Sequence, residues 1–287
     1  MLRPLLLLAS ALAPLARAAD VFLLGGQSNM QGSGRVAQWP ADLPREIPHT
    51  FFWNGEAFEP LVVGTTRSGG RPGEFGPEAG LGLALGRPDR PLHLIKHFAS
   101  GKPLHAGWNS DRWVGPEPGP GRVTFYPGER PGDPHVGTLY RDMLARYRAG
   151  LKHLEKSGGK PAVRALFWMQ GEADAKHEIS AREYGESLRR LRARLAEDLG
   201  LQPPPPLIFG QVLPHEPALP RFTHRAEIRA AMAAADARSG SPQAQPGLRM
   251  VSTDGYSLLP DTVHYDSAGQ LRLGRAFGAA WLELTRP

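Results

Sequence analysis

The amino-acid sequence predicts a single α/β domain, with a mostly parallel sheet covered by helices on both faces. Three observations carry this. Five short runs, 21–26, 93–99, 163–170, 207–213 and 249–254, are mostly apolar on both faces, as the buried strands of a parallel sheet are. Segments with apolar residues three and four apart lie between or after them. The length of 287 residues is enough for one sizeable core and too short for two generous domains.

In chain order, residues 1–19 stand apart. Arg3, an apolar core and the small-residue pattern Ala16-Arg17-Ala18 have the layout of a secretory signal peptide. The apolar stretch is too short to span a bilayer and Pro14 interrupts it, so no membrane partner is expected after its removal. No cysteine follows that would take a lipid anchor. The domain then covers 20–287, in a secreted or periplasmic protein. The run 21-VFLLGG-26 opens it. Residues 33–92 and 105–137 are rich in Gly, Pro, Arg and Trp and read as long loops, with a hairpin at 50–63 turning on Asn54-Gly55. Tyr140, Leu144, Tyr147, Leu151 and Leu154 mark one helix; Tyr184, Leu188, Leu191, Leu195 and Leu199 mark another. Ser180-Ala-Arg-Glu183 reads as the capping box of the second. The prolines 203–206 are a stiff lead into the next strand. A third helix covers 223–238. The last, 267–284, is capped by Ser267 with Gln270 and carries the stripe Leu273, Phe277, Trp281 and Leu284.

Charge and cysteine content exclude several classes. Removing 1–19 takes away Arg3 and Arg17 and lowers the formal net charge from +6 to +4. That excess is small and spread out. The cluster 189-RRLRAR-194 lies on a predicted helix and reads as a solvated face, so no nucleic-acid partner is expected. A weak pull toward acidic polysaccharide is all that the charge supports. The absence of cysteine excludes disulfides, thiolate metal sites and a cysteine nucleophile.

Ligands of such sheets bind outside the carboxyl ends of the strands. There the sequence places Gln27-Ser28-Asn29, 100-SGKPLHAGW-108, 170-QGEAD-174 and 261-DTVH-264. Ser28 is the candidate nucleophile; it needs a base, and the base needs an orienting carboxylate. His264 is the natural base. Asp261, three residues earlier, can reach the imidazole N–H that faces away from the serine. The oxyanion formed on attack needs preorganised donors. The Ser28 N–H, the Gly101 N–H and the Gln170 side-chain amide are the candidates. No HExxH and no carboxylate–histidine cluster appears at ligand spacing, so no metal is expected. Singly, each feature has a plainer reading: a capped turn at Ser28, an Asx-turn at Asp261, a strand-end cap at Gln170 and Glu172, a glycine needed for its angles at 101. Their joint placement at one sheet edge favours catalysis.

Together, Gly26-Gln-Ser-Asn-Met30, Gln170-Gly-Glu-Ala-Asp174 and Asp261-x-x-His264 resemble the signature blocks of the SGNH-hydrolase superfamily. More narrowly, they resemble its carbohydrate esterase family six and sialate O-acetylesterase branch. Residues 96–108 resemble that branch's lysine strand and glycine loop ending in tryptophan, and 138–147 the helix before its glutamine block. The similarity runs over roughly residues 20–284. It implies a three-layer α/β/α, flavodoxin-like fold and cofactor-free hydrolysis of O-acetyl esters on carbohydrate. It also implies Ser28 as nucleophile, His264 as base, Asp261 as its partner, and Gly101 and Gln170 joining Ser28 in the oxyanion hole. The sequence departs from the branch at Ser100-Gly101-Lys102-Pro103-Leu104, where Gly-Gly-Thr-Ser-Leu is common, and so brings Lys102 near the site.

Gln27, Asn29, Glu172 and Trp108 are candidate substrate contacts, and the loop 67–78 a candidate wall of the groove. Trp108 reads equally well as a core anchor. Glu172 is an alternative to Asp261 as the partner of His264, or a partner of Arg67. The expected activity is that of a secreted serine O-acetylesterase on acetylated oligo- or polysaccharide, of acetylxylan or sialate type. Two rivals stay open: a catalytically silent carbohydrate-binding module of the same fold, and a lipase- or thioesterase-like acyl hydrolase, which a long apolar tunnel would mark.

Overall fold

The structure, a computed structural model, describes residues 18–286. The expected leader falls outside these residues except for Ala18 and Ala19, which begin the first strand. Strand β1 (Ala18–Gly26) leads into the single-turn helix α1 (Ser28–Gln31). There follow β2 (Gly34–Arg35), β3 (Glu46–Trp53), β4 (Phe58–Val62), β5 (Glu74–Phe75), α2 (Pro77–Leu85) and β6 (Leu92–Phe98). The short pair β7 (Trp108–Asn109) and β8 (Arg112–Trp113) precedes α3 (Thr138–Lys156) and β9 (Lys160–Met169). The chain closes with α4 (Glu178–Arg182), α5 (Tyr184–Asp198), β10 (Leu207–Gly210), α6 (Arg225–Ala235), β11 (Leu248–Val251) and α7 (Ser267–Leu284).

Seven strands form one sheet in the order β11-β10-β9-β1-β6-β3-β4. Every pairing in it is parallel except β3 with β4. The fold is therefore α/β with a mostly parallel sheet, as the alternation of apolar runs and helices predicts. Strand β1 sits at the centre, and Val21, Phe22, Leu23 and Leu24 are at most 1% exposed. Side chains alternate across the sheet. Phe167 stacks on Phe277 of α7, while its neighbour Trp168 meets Phe125 edge-on and donates to the Tyr184 hydroxyl of α5. Helices α2 and α7 pack together on the first face. Tyr147 of α3 reaches the Leu24 carbonyl from the second.

The hairpin turns where expected: the Asn54 side chain accepts from Glu56 N and Ala57 N, and Gly55 takes φ 117°. Three expectations are corrected. Helix α2 lies inside the stretch read as loop. Its sequence, PEAGLGLAL, is apolar on nearly all sides, because it is buried between β3 and α7. A Cβ at Gly80 of α2 or at Gly274 of α7 would run into the backbone of the facing helix, so one glycine from each lets the two helices touch. Ser180 is not a helix cap. His177 caps α4, accepting from Ile179 N, and the Ser180 hydroxyl donates to the Asp174 carbonyl. Asp266, not Ser267, caps α7 by accepting from Gly269 N; Ser267 instead accepts from Arg35 N.

Candidate active site

The site forms where β1, β6 and β9 end and the turn before α7 closes over them. Gly26 ends β1 with φ 149°, and a Cβ there would meet the Met169 carbonyl of β9. The close approach lets the chain turn sharply and puts Ser28 first in α1. The other half comes from Asp261–His264. Asp261 Oδ1 accepts from Val263 N and His264 N, each at 2.9 Å, so the Asx-turn is present. Thr262 pays for the tightness of that turn with φ 60°, a left-handed conformation that a β-branched residue seldom takes.

The same turn makes the chemistry. Asp261 Oδ2 lies 2.6 Å from His264 Nδ1, and His264 Nε2 lies 2.9 Å from Ser28 Oγ. A carboxylate at Nδ1 fixes the proton there and leaves Nε2 free to accept from the serine hydroxyl. Burial works against the Asp261 carboxylate, but hydrogen bonds from the His264 ring and from two backbone N–H groups hold its pKa below the usual value. Ser28 and His264 open on a cleft of about 380 Å³ that Gly101, Gln27 and Glu172 also line. Gly101 has φ 69° and open space where a Cβ would stand, so the backbone angle is what requires glycine. Among the described residues no group of three or more His, Asp or Glu is placed to hold a metal ion.

The family model described as carbohydrate esterase, sialic acid-specific acetylesterase matches residues 18–283. The chain belongs to this family. Solved structures share the fold of this carbohydrate esterase. A protein from Arabidopsis thaliana is 21% identical with a TM-score of 0.63, over 93% of this chain and 98% of that one. NanS is 15% identical with a TM-score of 0.59, over 94% of this chain and 98% of that one. A carbohydrate acetylesterase from Xanthomonas citri is 16% identical with a TM-score of 0.51, over 92% of this chain and 56% of that one. The esterase thus spans about half the length of that third protein. No curated protein matches the chain.

Several expected contacts of the esterase have other tasks. The Gln170 amide is fully buried. It donates to Asp174 Oδ2 at 2.6 Å and to the Lys102 carbonyl at 3.1 Å, and its oxygen accepts from the Tyr184 hydroxyl. Its hydrogens are thus committed inside the protein, and Gln170 does not line the cleft. Gln27 stands in its place. Its Oε1 accepts from Ala173 N and Gln170 Nε2, and the residue lines the cleft. Trp108 is a buried anchor: its indole N–H donates to Ser180 Oγ and its ring meets Trp113 edge-on. The loop 67–78 is also absent from the cleft wall. It is held from below by Lys96, whose Nζ donates to Ser68 O and to Glu78. Lys102 turns away and donates to Ser110 Oγ. Asn29 is 1% exposed and bonds Glu172 and the chain around His264, not the cleft. Glu172 is not the partner of His264; Asp261 is.

Sequence reasoning missed Asp174 as a structural clamp. Its two carboxyl oxygens accept from Leu104 N and His105 N and so hold the glycine loop. It also missed Lys176, Arg221 and Phe222 in the cleft wall. The segment around Arg221 has neither periodicity nor a motif that would single it out.

Proposed function

We propose that the protein removes O-acetyl groups from carbohydrate through an acetyl-enzyme on Ser28. The observation that carries this reading is the continuous relay Ser28–His264–Asp261 at the floor of an open cleft. His264 Nε2 takes the hydroxyl proton as Ser28 Oγ attacks the acetyl carbonyl. The oxyanion meets the N–H groups of Ser28 and Gly101 and the Gln27 amide nitrogen. His264 then gives its proton to the departing sugar oxygen. Water, deprotonated by the same imidazole, releases acetate.

The cleft also favours a type of sugar. Lys176 and Arg221 line it, and among the described residues neither makes an ion pair; the Arg221 guanidinium lies over the Phe222 ring. Two cations outside any ion pair suit a carboxylate on the acceptor, which agrees with a family named for sialic acid. An acyl tunnel for long chains is a poorer fit to a wall that carries these charges. Placement in carbohydrate esterase family six and export behind the leader 1–19 belong to this proposal.

The test is acetate release from O-acetylated sialic acid, acetylated xylan and 4-nitrophenyl acetate, by the protein from Asp20 onward and by Ser28→Ala. The serine mechanism expects activity on the ester substrates and a loss of about 10³-fold or more in the variant. Equal rates for the two proteins, or a wild type that binds acetylated glycan without releasing acetate, would overturn it. Preference for xylan over the acidic sugar would overturn the substrate assignment alone.

A further inference from the structure

Glu172 is a buried carboxyl in the cleft wall that plays no part in the relay. Burial pushes its pKa up, and the Asn29 amide and His264 work the other way. Its Oε1 accepts from Asn29 Nδ2 at 2.7 Å, while Oε2 is enclosed with no protein partner. An ionisable group is costly in such a place unless the contact it makes matters.

That contact leads to the base. The Asn29 amide spans His264: Nδ2 donates to Val263 O at 3.0 Å, and Oδ1 accepts from Tyr265 N at 3.1 Å. The residues before and after the catalytic histidine are thus held by one planar group. Asn29 also follows Ser28 directly, on the same turn of α1. One short piece of backbone therefore carries the nucleophile and the grip on the base. Side-chain flexibility is removed from the distance between them, because both ends hang on adjacent Cα atoms. Neighbouring groups agree with this use. Tyr265 is fully buried below the turn, and Thr262 within it is held at a positive φ that a free loop would shed.

We propose that Asn29 and Glu172 are positioning residues for the general base: Asn29 grips the backbone on both sides of His264, and Glu172 fixes the Asn29 amide. The inference rests on the esterase reading above. Its predicted loss falls on kcat, because the proton-transfer geometry is loosened.

The experiment measures kcat and KM on 4-nitrophenyl acetate for Asn29→Ala, Glu172→Ala and Glu172→Gln, each also in a His264→Ala background, with Tm recorded for every protein. Asn29→Ala and Glu172→Ala are expected to lose about tenfold or more in kcat with KM within about threefold. Glu172→Gln, whose amide oxygen still accepts from Asn29, recovers most of what Glu172→Ala loses. In the His264→Ala background the Asn29 change costs nothing further, since its effect passes through the imidazole. Wild-type kcat in Asn29→Ala, or an undiminished loss without His264, overturns the proposal. A low-field proton resonance from the His264–Asp261 bond gives a readout without substrate. It is expected in wild type and displaced in Asn29→Ala. If wild type hydrolyses no ester, the functional reading fails, and an unmoved resonance would separately sink the positioning role.

Discussion

The carboxylate of Asp261 divides its oxygens between structure and chemistry: Oδ1 builds the turn, and Oδ2 holds the imidazole. Asp261→Asn should keep the turn, because an amide oxygen still accepts from the two backbone N–H groups. It should lose the tautomer control, because an amide nitrogen offered to Nδ1 favours a proton on Nε2. The expected fall in kcat is on the order of 10³ to 10⁴. Circular dichroism and Tm close to wild type, beside kinetics on 4-nitrophenyl acetate, check it. A loss smaller than tenfold would show that orientation of His264 does not depend on this bond. The same economy explains why the Asx-turn and the Asp261–His264 side-chain contact occur together in one turn.

Strand β6 shows how one element can serve the core and the site together. Lys96 and Glu78 form an ion pair in which both side chains are 0% exposed, and Lys96 also donates to Gln31 O at the end of α1. Three segments meet at one ammonium: α1, the 67–78 loop and α2. Lys96→Ala leaves Glu78 buried without its counter-charge and should cost about 3–5 kcal/mol in denaturant unfolding. A cost below about 1 kcal/mol would mean that water replaces the pair readily. One position along, His97 is pressed by burial first and by the Arg146 cation second, to a pKa of about 4. The unfolded imidazole takes a proton near pH 6.5 while the native one refuses it down to about pH 4. Stability therefore falls as pH drops through that window. His97→Phe, which keeps a ring against Phe125, should flatten the slope of Tm with pH there; an unchanged slope would remove His97 as its source.

Much of this was legible in the chain. The strands were, because buried parallel strands carry short apolar runs bounded by Gly and Pro. The meeting of Ser28, Asp261 and His264 was, because each stands in a local motif at the carboxyl edge of the sheet. Helix α2 was not, because a helix buried on nearly every side loses the stripe that marks helices. The direction of the Gln170 amide was not legible, because it depends on Asp174 and Tyr184, which no spacing rule connects to it. Arg221 stood in a loop, where tertiary placement leaves no local trace.

At the scale of the molecule, the central place of β1 means that sheet and site share their support. Its last residues pair with both β6 and β9, so the turn that presents Ser28 rests on the middle of the core. Loss of activity and loss of tryptophan fluorescence should therefore coincide in a urea titration, as one transition. Activity that disappears well before the fluorescence change would instead show that the site melts by itself. The hydrogen bond between His264 and Ser28 joins residues 236 apart in sequence. Ser28 is among the first parts of the domain to leave the ribosome, and His264 is among the last. A growing chain carries its serine through nearly the whole of synthesis without anything to activate it. Under the proposed mechanism, hydrolytic power arrives only when the C-terminal segment has docked, and a truncated or stalled chain would be inert.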